Sequence, residues 1–366
     1  MQLHTCDPRC APNCNIAKIE RVKADRGARP LTIDLHCHAL VPEVEKLVAG
    51  LPGKLAEADT QFRGTGVASA DHNTKVMLPA AIPKLTNLEL RLQDMEKMGV
   101  DIQVVSPSPT QYYYWADADL AHDIVRLQNE KIAVLCELHP DRLAGLGTVA
   151  LQHPDLCIEQ LTHAIKVLGL KGIEISTAVG EQELSDPKFA RFWAKAEELG
   201  CVVFIHPFGT SLGARLDRHY LSNIIGQPIE TTIALSYLIF SGTLDRHPGL
   251  KIVAAHGGGY LPTYIGRSNH GNQVRPEAGG IKLKPVDYLK RIWFDSIVYE
   301  PQELRRLVDA VGASQVVLGT DYPFDMGHYD VHDLIASVPG LSAEERANIL
   351  GGNAAQLLGL KSLLEK

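Results

Sequence analysis

No apolar run reaches the roughly 18 residues of a membrane-spanning helix, so no membrane partner is expected. Basic residues are in deficit: 36 Lys and Arg face 43 Asp and Glu, a formal charge of −7. A nucleic-acid partner, which needs a basic face, is therefore not expected. The opening stretch MQLHTCDPRC lacks the apolar core of a secretory signal, so the chain reads as cytoplasmic. No G-x-G-x-x-G opens a helix after the first strand-like run, which disfavours a dinucleotide-binding open sheet. What remains is ordinary globular material, 45% hydrophobic and 22% charged over 366 residues. At about 150 residues per domain that is nominally two domains, but a single α/β barrel accommodates it as well.

Cysteine is sparse and odd in number. Seven residues in a cytosolic context argue against a disulfide framework. Cys37, Cys136, Cys157 and Cys201 sit in apolar segments and read as small buried hydrophobes. Cys6, Cys10 and Cys14 cluster in an N-terminal arm, where with His4 they offer thiolate and imidazole donors for zinc. Their spacing is not that of a zinc finger, and a surface arm without metal is the favoured reading.

Along the chain, short β-branched runs alternate with amphipathic segments. The strand expectations are 32–36, 102–106, 145–150, 171–175, 201–206, 251–256, 292–297 and 315–320. Each is the kind of short apolar run that a parallel sheet buries on both faces. Helical patterns fall at 87–98, 118–138, 154–168, 186–199, 229–246, 301–311 and 342–350, with a short helix expected near the C-terminus. Eight such units predict a (β/α)₈ TIM-like barrel, an α/β fold, with a doubly wound sheet as the alternative. Residues 1–30 read as an arm and 31–366 as one barrel. Residues 40–86, rich in scattered Gly, Pro and charge, read as a loop inserted after the first strand at the C-terminal rim, a lid or interface element.

The polar residues that end these strands carry the chemistry. The first ends in Asp34-Leu35-His36-Cys37-His38, the fifth in His206-Pro207, the sixth in His256-Gly257-Gly258-Gly259 and the eighth in Thr320-Asp321-Tyr322-Pro323. Barrel closure brings these ends round one mouth. His36 and His38, two apart, share a strand face while Cys37 points away. With His206 and Asp321 they make a three-nitrogen, one-carboxylate donor set suited to a divalent ion such as Zn²⁺ with room for a water. His256, before three glycines, reads as a general base facing that water. Arg267 and Arg275 lie beyond it, and guanidinium groups suit an anionic substrate's carboxylate. Glu174, ending the fourth strand, could orient a ligand imidazole. Tyr112-Tyr113-Tyr114-Trp115 could line a pocket for a planar ligand or pack on the rim.

These motifs resemble the amidohydrolase superfamily, in the branch of aminocarboxymuconate semialdehyde decarboxylase and related carboxy-lyases. His-x-His, HP, HGGG, the Gly266-Arg267 pair and GTDYPF at 319–324 carry the resemblance over about residues 31–360. It implies a distorted barrel holding one divalent metal, zinc or sometimes manganese, on His36, His38, His206 and Asp321, with no organic cofactor. It implies His256 as the catalytic histidine, Arg267 and Arg275 as substrate-carboxylate arginines, and non-oxidative loss of CO₂ from a dienoic or aromatic acid. A hydroxybenzoate or hydroxypyridine carboxylate is the leading class. The proton comes either from a metal-bound water with His256 as shuttle or from Asp321. In this branch an arginine of the partner subunit of a dimer enters the site, and Arg63 in QFRG is the nearest match here. The competing readings are a hydrolase or hydratase on the same scaffold, and a non-catalytic barrel with a structural metal.

Overall fold

The alternating runs fold as strand and helix in the expected order in a computed structural model that describes residues 29–360. The cluster of Cys6, Cys10 and Cys14 with His4 lies outside those residues, as does the end of the C-terminal segment. Eight strands form one sheet: β1 (Ile33–Ala39), β2 (Ile102–Pro107), β3 (Leu143–Gly147), β4 (Gly172–Ile175), β5 (Val202–Ile205), β6 (Lys251–Ala254), β7 (Ile292–Asp295) and β8 (Val316–Val317). Neighbours pair in parallel and in sequence order. The seam closes where Leu35 N–H donates to Leu318 O at 2.9 Å, Asp321 N–H to His36 O at 2.8 Å and His38 N–H to Tyr322 O at 2.9 Å. The result is the expected TIM-like barrel. Among the described residues, no helix is long and apolar enough to cross a membrane.

The helices start where the sequence supplies caps. Asn87 accepts Leu90 N–H at 3.1 Å to open Leu88–Met98, and Asp117 accepts Leu120 N–H at 3.0 Å to open Ala118–Leu138. Strand side chains then divide by alternation. Leu35, Val104, Leu146, Phe204 and Val253 fill the barrel, while Cys37, Val105, Ile173, Val203 and Ile252 face the helices. One slip breaks this alternation: the register of β1 against β2 shifts between Asp34 and Cys37. A bulge re-aims the side chains beyond it. Leu35 and His36 therefore both turn inward, with the His36 ring 4.9 Å from that of Phe204. His38 lies on the same side, and Cys37 faces out as the sequence predicts.

The 40–86 segment differs from the loop expected. It folds as Pro42–Val48, Pro52–Thr65, Val67–His72, a π turn and Leu78–Thr86. The prolines that suggested a loop at positions 42 and 52 stand at helix starts, where a missing N–H costs nothing. Gly66, at φ 80°, separates two of these helices and lies so close to Asp217 that a Cβ would sit 1.7 Å from its carbonyl oxygen. Helix Pro52–Thr65 buries no residue and lies across the segment after β5, with Gln61 against Gly209.

Gly319 shows how tightly the mouth is packed. A Cβ there would meet His36 Cβ at 2.8 Å and Asp295 Cβ at 3.1 Å. Gly319→Ala is expected to cost about 1–3 kcal/mol by overpacking, read as a lowered urea midpoint; an unchanged midpoint would contradict this packing.

Candidate metal centre and active site

Four side chains meet at the C-terminal end of the barrel. Ligand atoms of His36, His38, His206 and Asp321 all lie within 4.8 Å of one another, and all four residues are buried. His36 Nε2 and His38 Nε2 are 3.1 Å apart, and Asp321 Oδ1 is 3.4 and 3.5 Å from them. The His206 ring centroid lies 4.9 Å from each of the other two.

The neighbours fix which imidazole nitrogen faces inward. Asp295, ending β7, accepts from His36 Nδ1 at 2.6 Å. The Nδ1 of His38 lies 3.3 Å from Pro107 O, 3.3 Å from Ser106 Oγ and 3.4 Å from Glu174 Oε2. Both Nε2 atoms are thereby left for a ligand, the arrangement that metal-binding histidines adopt. Glu174 is itself held by the hydroxyls of Ser106 and, at 2.6 Å, Tyr112. Neither ring nitrogen of His206 has a hydrogen-bond partner although both are buried. Two buried orphan nitrogens are costly, and coordination of a cation satisfies one of them. The donor set thus fits a single divalent metal.

Electrostatics agree. Burial raises the Asp321 carboxyl, but His36 and hydrogen bonds from His256, His36 and His38 overrule it and hold it well below the usual range. Burial pulls His36 down, yet Asp321 and Asp295 raise it to about 10. His206 is pushed well below its ordinary value by burial and by the charges of His36, His38 and His256. The carboxylates call for positive charge, and His206 offers a neutral imidazole to whatever carries it.

His256 comes after β6 in a left-handed conformation, φ 55°, and Gly257, Gly258 and Gly259 are left-handed too, at 59°, 76° and 64°. The turn aims His256 Nε2 at Asp321 Oδ2, 3.7 Å away. Asp295 anchors it, accepting from the backbone N–H of His256 at 2.9 Å and of Gly257 at 2.8 Å. Asp321 is left-handed as well, φ 57°. These conformations are unusual outside glycine and concentrate where function holds them.

A cleft of about 460 Å³ reaches the cluster at His206 and Asp321. His206, His256 and Asp321 form its floor, Phe208 and Phe324 line its sides, and Lys54, Glu57 and Gln61 of helix Pro52–Thr65 supply the opposite wall. Partial burial first, then Glu45, raises Glu57 to about 7 against the pull of Lys54 and Trp115. The aromatic run packs behind the rim and does not line this cleft. Tyr112 bonds Glu174, Tyr113 OH accepts from Lys54 Nζ at 2.5 Å, and Trp115 lies on Gly53.

The arginines stand apart. Arg267 and Arg275 are exposed, at the middle and end of helix Leu261–Val274, and neither lines the cleft. Arg275 Nε donates to Glu277 at 2.7 Å. Arg63 is exposed on helix Pro52–Thr65 and pairs with Asp59 at 2.7 Å. Asp295 was not singled out from the sequence, although it ends an apolar strand as the named ligands do.

Comparison with known proteins places this geometry. Residues 33–360 match the family model described as amidohydrolase. The chain belongs to the amidohydrolase family. This amidohydrolase is 34% identical over 343 residues to 2-amino-3-carboxymuconate-6-semialdehyde decarboxylase of Dictyostelium discoideum, covering 91% of this chain and 92% of the relative. The resemblance expected from the motifs is borne out. The crystal structure of 5-carboxyvanillate decarboxylase from Sphingomonas paucimobilis aligns with a TM-score of 0.77 at 25% identity, over 90% of this chain and 99% of that one. A dihydroxybenzoic acid decarboxylase from Polaromonas sp., solved with bound manganese and 2-nitroresorcinol, shares the fold at a TM-score of 0.75 and 23% identity, over 91% and 98% of the chains.

Asp295→Asn keeps the shape but removes the charge that orients His36. It is expected to weaken Mn²⁺ or Zn²⁺ binding about 10–100-fold, measured by calorimetric titration; an unchanged affinity would contradict the role given to Asp295.

Proposed function

We propose that this amidohydrolase is a metal-dependent carboxy-lyase that releases CO₂, without oxidation and without an organic cofactor, from a small aromatic, heteroaromatic or dienoic acid. The observation that carries the reading is a cluster of three imidazoles and one carboxylate whose free Asp321 oxygen faces His256 Nε2 at 3.7 Å. Similarity to decarboxylases over most of the chain supports it. His36, His38, His206 and Asp321 are the metal ligands in this proposal. Zinc suits the neutral, nitrogen-rich donors; manganese, found in the Polaromonas relative, is the alternative.

When bound, the ion supplies a Lewis-acidic centre that holds the substrate's oxygen atoms and stabilises their negative charge. The rest is done by side chains. His256 holds a proton at Nε2 and gives it to the carbon that bears the carboxyl group, with Asp321 Oδ2 orienting the donor. The bond from that carbon to the carboxyl group then breaks, its electron pair returns to the unsaturated system, and CO₂ leaves. Glu174 holds His38, and Asp295 holds both His36 and the turn of His256. The lid formed by 40–86, part of a single barrel unit that begins at residue 31, shields the cleft from water.

Arg267 and Arg275 are exposed and outside the cleft of their own chain. Their service to a substrate carboxylate, and that of Arg63, therefore needs a second copy, and a homodimer or higher homo-oligomer in the cytoplasm is part of the proposal.

The test is metal analysis and then a CO₂-release screen over 2,6-dihydroxybenzoate, 5-carboxyvanillate, 6-methylsalicylate and aminocarboxymuconate semialdehyde. Metal-dependent CO₂ release, abolished by EDTA and restored by Zn²⁺ or Mn²⁺, is expected. His256→Ala should lower turnover by about 10²–10⁴ with metal retained. Water addition or hydrolysis without CO₂ would replace the proposal by a hydratase or hydrolase, and near wild-type turnover in His256→Ala would remove that residue's role.

A further inference from the structure

Behind the metal ligands, on the outer face of the barrel wall, lies a buried polar chain that none of the site residues explains. Helix Leu88–Met98 turns Leu88, Leu92 and Met95 toward the core, and Arg91 sits on that same face. Arg91 is only 3% exposed. Its guanidinium donates to the backbone oxygen of His38 and, at 2.8 Å, to Gln103 Oε1, and its carbon lies 5.0 Å from the centre of the Tyr322 ring. Gln103 Nε2 passes the chain on to Asp34 Oδ2 at 2.9 Å. Asp34, fully buried, also accepts from His36 N–H at 3.2 Å, Thr320 N–H at 3.0 Å and Thr320 Oγ1 at 2.6 Å.

Every end of this chain stops one covalent step from a metal ligand. Asp34 holds the backbone N–H of His36 at the register slip, Arg91 holds the carbonyl of His38, and Thr320 and Tyr322 flank Asp321. Apolar residues would serve a barrel wall better, because an inward guanidinium and carboxylate both lose hydration. Arg91 meets the Asp34 charge only through an amide, so the arrangement gains little direct Coulomb energy in return. A planar guanidinium can grip a carbonyl, an amide and a ring face at fixed angles, which an ammonium cannot.

We infer that Arg91, acting through Gln103 and Asp34, is a positioning residue for the metal centre: it sets the spacing of His36 and His38 on β1 relative to Asp321 after β8. This rests on the metal site proposed above. Helix Leu88–Met98 thereby becomes part of the site although it touches neither metal nor cleft.

The test is Mn²⁺ titration of the metal-stripped full chain, monitored by electron paramagnetic resonance of free Mn²⁺, for wild type, Arg91→Met, Arg91→Lys and Gln103→Met. Wild type that binds no ion at all would sink the metal site itself. Given wild-type binding, Arg91→Met is expected to raise the Mn²⁺ Kd about 10–100-fold, Arg91→Lys to recover only part of that, and Gln103→Met to shift it the same way by less. The visible ligand-field band of the Co²⁺-loaded Arg91→Met protein should also move, since ligand spacing has changed. A lowered Tm with wild-type Kd and an unmoved Co²⁺ band would overturn the inference and leave Arg91 a packing residue. If Arg91→Met does not fold, Gln103→Met decides: an unchanged Kd there overturns the inference as well.

Discussion

The mouth of the barrel depends on the seam between β1 and the chain leaving β8. Two of the four clustered ligands stand on one side of it and a third on the other. Backbone bonds from Asp321 to His36 and from His38 to Tyr322 tie the sides together. A sheet left open here would part His36 and His38 from Asp321 and dissolve the site, whatever the side chains. The register slip at Asp34 makes the seam productive by turning His36 inward one residue early. Gly319 lets the two walls approach.

Burying this much charge is expensive, and the molecule meets the cost with reciprocal bonds. Asp34, Asp295, Glu174 and Asp321 are all buried. Asp295 stays ionised because His36 and His256 outweigh its burial. At Asp34 burial wins instead, raising it to about 6 although hydrogen bonds from Thr320 and Gln103 and the charge of His36 pull it down. The contrast marks two kinds of carboxylate. Asp295 and Asp321 generate a field for a cation, whereas Asp34 is chiefly a hydrogen-bond acceptor that fixes backbone. Left-handed backbone at His256 and Asp321 belongs to the same pattern, local strain held by the surrounding bonds.

Much of this was legible in the residues. Each of the four clustered residues ends or closely trails one of the apolar runs expected as strands, and strand ends converge in a barrel, so fold and cluster were read together. Asp295 carries the same signal in IWFD but lacks a motif partner beside it. Arg91 was concealed by its type: the spacing 88, 91, 92, 95 puts it on the inner face, yet an arginine among charged neighbours reads as solvated. The 40–86 helices were read as loop because helix-starting prolines look like breakers when apolar periodicity is weak. Arg267 and Arg275 show the opposite limit, since the resemblance proposes them as substrate-binding residues but a single chain leaves them in solvent.

The central claim is that one divalent ion sits among His36, His38, His206 and Asp321. Anomalous diffraction from crystals of the purified protein, recorded on both sides of the zinc and manganese absorption edges, tests it most directly. The account predicts one peak within coordination distance of three imidazole nitrogens and an Asp321 oxygen, assigning the metal by its edge. No peak there in metal-replete protein, or a peak held by other residues, would contradict it.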